Sequence, residues 1–178
     1  MCVRKVNASV RIERACAQYR FSTGIVLEKS KKILDQYRDG KLISQFGNID
    51  EKGKIERVKR LINEKYKTTF VDKKGHTTGS LDYLIMEVIG TSWADFLIEQ
   101  SFNLINDMGL YQEDYKTILD LYYFDKKVRD DDYIMDKLGI SRSTYYRRKK
   151  EAITIFGLAL WLTMIDECVT KNDDEEVG

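Results

Sequence analysis

Apolar residues recur at intervals of three and four along most of this chain, and the elements they predict are helices. Between Val10 and Tyr37, Ile12, Ala15, Cys16 and Tyr19 share one face. Ile25, Val26, Ile33, Leu34 and Tyr37 share another after a break at Ser22-Thr23-Gly24, where Ser22 is placed to cap the second piece. Asp39-Gly40 closes that helix. The stretch KLISQFGNIDEKG has the Gly and Asn content of a loop, and Ile55, Val58, Leu61, Ile62 and Tyr66 then mark another amphipathic helix. Near 68–80 the helical period disappears, and alternating Thr, Phe and Val predict a small hairpin or an ordered loop. From Ser80 three further helices follow, punctuated at Gly79-Ser80, Gly90-Thr91-Ser92 and Gly109. Leu84, Ile85, Val88, Trp93, Phe96, Leu97, Phe102, Leu104 and Ile105 supply their core.

The pattern changes character over Asp130 to Ala152. Asp130, Asp131 and Asp132 suit a helix start, Ile134, Met135 and Leu138 bury one face, and Gly139 supplies the left-handed residue that ends such a helix. Ile140 fills the space between two helices. Ser141 then caps a second helix by accepting from the N-H of Ser143 or Thr144. This is a helix, a tight turn and a helix, and the second helix is densely basic. Arg142, Arg147, Arg148, Lys149 and Lys150 are interleaved with Ser143, Thr144, Tyr145 and Tyr146, while Tyr145, Ala152 and Ile153 keep a packed side. A helix over 142–152 of this kind fits a DNA major groove, where Arg and Lys meet guanine acceptors or phosphates and hydroxyl side chains reach other base edges. Next comes ITIFGLALWLTMIDECV, too apolar for a free surface and too short for a bilayer. It either continues the basic helix into the core or offers Phe156, Leu160, Trp161 and Met164 to a homodimer, with core the better reading.

Composition adds two constraints. The chain has no proline, where about nine are usual at this length, which favours a mainly α fold, a helical bundle with a C-terminal helix-turn-helix. No stretch approaches a membrane span and the first residues lack the apolar core of a signal peptide, so a cytoplasmic protein without a membrane partner is expected. Cys2, Cys16 and Cys168 are widely spaced and His76 is the lone histidine, so neither a disulfide framework, a zinc site nor another cofactor is implied.

The net charge of +1 hides a partition: residues 1–38 hold nine Lys/Arg against three Asp/Glu, 79–125 one against nine, 126–150 nine against four, and the last 28 one against seven. That asymmetry fits a local DNA footprint. The basic residues of the first helices, Arg11, Arg14, Arg20, Lys29, Lys31, Lys32 and Arg38, read as a solvated face or as a second DNA-facing surface. Glycine-rich phosphate loops, His-carboxylate pairs at metal spacing and an activated nucleophile are all missing, so no catalysis is expected. Paired carboxylates such as Glu113-Asp114 stand at helix starts, where capping explains them.

The segment DKLGISRSTYYRRKKEAI resembles the helix-turn-helix of sigma-70 region 4, and within that group it is similar to phage-encoded late transcription regulators of the ArpU and RinA type. The resemblance covers Tyr115 to Trp161. It implies that Leu138, Ile140, Tyr145 and Ala152 are buried, that Arg142, Ser143, Thr144, Tyr146 and Arg147 read bases, and that Lys150 also faces the groove. Phosphate contacts are then expected from Ser141, Arg148, Lys149 and Lys150, and from Lys126, Lys127 and Arg129 in the preceding connection. Tyr122, Tyr123 and Phe124 resemble the helix that braces the motif. Two departures stand out: Tyr145 replaces a smaller Val or Ile, and Lys149 replaces a frequent Leu, which would rotate the contact face by part of a turn. The implied organisation is an N-terminal helical region over 1–110, the motif-bearing region over 111–168 and an acidic tail over 169–178, with one continuous domain as the alternative. The implied partners are double-stranded DNA, with RNA polymerase or a second copy of the chain as candidates for the acidic middle. The alternative is a helical assembly or protein-interaction module that binds DNA non-specifically.

Overall fold

The structure, a computed structural model, describes residues 7–40, 50–66, 80–107, 111–127 and 129–173, which form eight α-helices and no strand. In chain order these are α1 (Ala8–Gln18), α2 (Thr23–Gly40), α3 (Glu51–Tyr66), α4 (Ser80–Val88), α5 (Ser92–Leu104), α6 (Gln112–Leu119), α7 (Asp131–Leu138) and α8 (Arg142–Asp173). A 3-10 turn (Ile105–Asp107) ends α5, and a π-helical turn (Asp120–Phe124) ends α6. The fold is therefore mainly α, as the apolar period and the lack of proline predict. The loop at 41–49, the hairpin or ordered loop at 68–79 with His76, the punctuating Gly79 and Gly109, Cys2 and the tail from 174 lie outside the described residues.

The bundle is built around α8. All of 151–161 is buried, so this part of the helix has no wet side and must be enclosed by other elements. Helices α1, α2, α3, α5 and α6 pack around it. Phe156, Leu160, Trp161 and Met164 are thus core within the chain, which answers the choice between core and a dimer face at these positions. Aromatic edges lock the layers: Phe124 lies 5.7 Å from Tyr37, 5.4 Å from Phe102 and 5.8 Å from Phe156 between ring centroids. At Gly157 the backbones of α2 and α8 come close, since a Cβ there would lie 2.6 Å from the Cβ of Ser30 and closer still to its Oγ.

Several boundaries follow from caps. Asn7 Oδ1 accepts from the Ser9 N-H at 3.3 Å and Thr91 Oγ1 from the Ala94 N-H at 3.2 Å, opening α1 and α5. Helix α3 begins at Glu51, inside the stretch expected to be loop, because Asp50 accepts from the Gly53 N-H at 3.1 Å. A Cβ on Gly53 would crowd that same carboxylate, so the glycine makes room for the cap instead of breaking the helix. Tyr19, Ile25, Phe96 and Leu104, expected in the core, are exposed. Each outer helix meets the central rod along one narrow face, and apolar residues at the margins of that face stay wet. No helix among the described residues is long and apolar enough to cross a membrane.

Candidate nucleic-acid interface

Helix α7 ends and α8 begins through backbone hydrogen bonding that the sequence dictates. Asp130 Oδ1 caps α7 by accepting from the Tyr133 N-H at 2.8 Å. At the other end Gly139 adopts φ 61°, with its N-H bonded to Asp136 O at 3.2 Å and the Ile140 N-H bonded to Met135 O at 3.3 Å. These two bonds are the Schellman arrangement, and Ile140 and Met135 both pack on the small cluster of Ile118, Leu121, Ile134 and Tyr145. Ser141 Oγ then accepts from the Thr144 N-H at 3.4 Å and donates to Thr144 Oγ1 at 3.0 Å. The turn is fixed from both sides.

The first turns of α8 divide cleanly. At 100° per residue, Arg142, Ser143, Tyr146, Arg147 and Lys150 occupy an arc of about 140°, and all five are exposed. On the opposite arc Tyr145 and Ala152 are fully buried, and Thr144, Arg148 and Lys149 are half-buried. Arg142, Arg147 and Lys150 form no ion pair among the described residues, although Arg142 lies over the Tyr146 ring at 5.7 Å. Thr144 sits at the edge of the exposed arc, and its hydroxyl is occupied by the cap.

Two residues expected at phosphates, Arg148 and Lys149, are engaged by carboxylates and aromatic rings of the protein itself. Lys149 is 12% exposed, donates to Asp131 Oδ1 at 2.7 Å and lies 3.2 Å from the centre of the Tyr122 ring. Arg148 is ion-paired with Asp114 and stacks over Tyr111 at 4.0 Å. The reason is geometric: at this rotation both side chains leave the helix toward α6 and α7, where carboxylates and tyrosine faces receive them. Lys149 thus meets an acidic partner on α7 and Arg148 one on α6.

Asp131 is the centre of this joint. Its carboxylate accepts from Tyr145 at 2.6 Å, Tyr146 at 3.1 Å and Lys149 at 2.7 Å, so one side chain of α7 holds three of α8. Burial by itself would raise the Asp131 carboxyl, but the bonds from Lys149, Tyr145 and Tyr146 and the lysine charge hold it below the ordinary carboxylate range. Burial and the bond to Asp131 push the Tyr145 hydroxyl well above an ordinary phenol. One turn further on, buried Glu151 accepts from Ser9 Oγ at 2.6 Å and Tyr115 OH at 2.7 Å, tying α8 to α1 and α6. Asp131, Asp114 and Glu151 carry roles that a reading of helix-start carboxylates misses. Of the three, only Glu151 has a signal in the sequence, as an acidic residue directly after the basic run.

Of the other residues expected at phosphates, Lys126 and Lys127 are exposed, and the Lys127 N-H donates to Asp125 Oδ1 at 3.2 Å. Arg129 is partly exposed: its Nε lies 3.9 Å from Asp125 Oδ2 and its guanidinium covers the ring of exposed Tyr133 at 4.7 Å. Ser141 is exposed at the N-terminus of α8, with its hydroxyl engaged in the cap.

A family model described as "Protein of unknown function (DUF1492)" matches residues 97–156, about a third of the chain, from α5 through the turn to the first half of α8. No curated protein and no solved structure matches the chain.

Proposed function

We propose that this protein is a sequence-selective, double-stranded DNA-binding transcription regulator of the phage type that works without catalysis, reading the major groove with the exposed arc of α8. The observation that carries the reading is the separation of the basic run into two populations. Arg148 and Lys149 are consumed by the joint with α6 and α7, while Arg142, Arg147 and Lys150 share one exposed stripe with Ser143 and Tyr146. A stripe of that composition on the second helix of a tight helix-turn-helix supplies bidentate donors for guanine and hydroxyls for other base edges. Tyr146 must release or share its bond to Asp131 to use its hydroxyl there, so its first contribution is its ring, an apolar surface for a thymine methyl. The resemblance of the motif to sigma-70 region 4 and to ArpU and RinA regulators supports the same reading.

Binding of the purified chain to random duplexes, with selection and sequencing, tests the proposal. An enriched motif is expected, and Arg147→Ala should relax it at one position at a cost of about 1–3 kcal/mol. The symmetry of the motif reports whether a two-fold pair or a single copy, alone or beside RNA polymerase, occupies the site. Salt-sensitive binding with no enrichment would favour a non-specific assembly module instead, because phosphate contacts carry affinity without sequence.

A further inference from the structure

With Lys149 and Arg148 half-buried and paired to carboxylates, the exposed arc retains three unpaired cations, few for a protein that must hold a duplex by its phosphates. The wall of the neighbouring cleft supplies another. A cleft of about 540 Å³ lies between α2 and the start of α8, lined by Leu27, Glu28 and Lys31 from α2, by Tyr146, Lys150 and Ile153 from α8, and by the Lys149–Asp131 pair, whose charges offset each other. Tyr146 belongs to both the cleft wall and the reading face, so the cleft opens beside the groove-entering side of α8. Lys31 and Lys150 are exposed, come from different helices, and form no ion pair among the described residues.

We infer that the mouth of this cleft is a DNA-backbone seat in which Lys31 of α2 and Lys150 of α8 grip the strand flanking the base-reading contacts. The inference rests on the reading of α8 as the groove helix. It gives α2, which lies outside the family-matched span, a direct part in binding. Two cations on separate, rigidly packed helices fix the position of a phosphate without reading sequence, which sets the angle at which α8 enters the groove. Glu28, one turn from Lys31 on the same wall, opposes the anion and keeps the seat weak for any backbone, whatever its sequence.

The test is anisotropy of the selected duplex and of a scrambled duplex, from 50 to 200 mM salt, with wild type, Lys31→Ala, Lys31→Arg and Glu28→Gln. One phosphate contact contributes a factor of about 3.5 to the affinity lost over that range. Lys31→Ala is therefore expected to lose affinity for both duplexes alike and to show a salt-induced loss about 3.5-fold smaller than wild type. Lys31→Arg keeps the wild-type slope and Glu28→Gln tightens both duplexes. Unchanged melting temperatures identify these as binding effects. An unaltered slope in Lys31→Ala, or a loss confined to the selected duplex, overturns the seat while leaving the groove helix standing. Wild-type protein that binds neither duplex at 50 mM salt overturns both.

Discussion

Replacing Lys149 by alanine separates a structural lysine from a DNA-binding one. In the folded chain its side chain is 12% exposed, with the ammonium bonded at 2.7 Å to an Asp131 side chain that is 26% exposed and set 3.2 Å from the Tyr122 ring centre. An exposed pair of this kind contributes about 0–1 kcal/mol and breaking a fully buried one costs about 3–5. Partial burial, together with the two tyrosine hydroxyls that Asp131 keeps, sets the expected cost of Lys149→Ala near 2 kcal/mol. In a chain of this length that corresponds to a fall in melting temperature of about 4–8 °C. Lys149→Met removes the charge but keeps an unbranched side chain of similar length in the half-buried site, and should lose about half as much. The salt slope of DNA binding should stay that of wild type in both. The pH dependence has a definite sign. Asp131 is held below the ordinary value of 3.8, so as pH falls the unfolded chain takes up this proton first. The contribution of the joint is complete at neutral pH and is lost progressively below about pH 4. Thermal melts between pH 2.5 and 7 should show the wild type and Lys149→Ala converging at the acid end. An unchanged melting temperature, together with a salt slope reduced by about one, would refute the reasoning and return Lys149 to the phosphates.

Two further perturbations address the backbone. Gly157→Ala should destabilise the bundle by about 1–3 kcal/mol, because the added methyl collides with Ser30; adding Ser30→Gly should recover most of that loss in a chemical-denaturation series, and purely additive effects would contradict the close approach. Gly139 has no atom within 4 Å of a built Cβ but sits at φ 61°, so Gly139→Ala should cost about 1–2 kcal/mol from backbone strain, with Gly139→Asn costing less. Equal melting curves for the alanine and asparagine variants would count against that origin.

Local pattern made much of this architecture legible. Tyr145 and Ala152 are fully buried and Leu138 and Ile140 partly so, as their spacing around Gly139 requires, and the cap of Ser141 on Thr144 follows from residue type. The exposed stripe of α8 is legible for the same reason, since the 3.6-residue period sorts the two sides of one helix. The inward turn of Lys149 and Arg148 is not. Their partners stand 18 and 34 positions earlier, and a count of charge treats a paired lysine and a free one alike. The start of α3 was hidden for a related reason, because Gly53 reads as a breaker until the Asp50 carboxylate beside it is known.

Helix α8 is a single element of 32 residues whose first turns face solvent and whose middle is the core. Gly157 and Arg147 are about 15 Å apart along it. The exposed stripe consequently has no folding unit of its own, and on the proposed reading its persistence on DNA is tied to the global stability of the bundle. Substitutions buried over 151–161, remote from any base, should behave genetically as temperature-sensitive regulatory alleles, active in the cold and silent when warmed. Changes at 142, 143, 146, 147 and 150 should instead alter which promoters respond at every temperature.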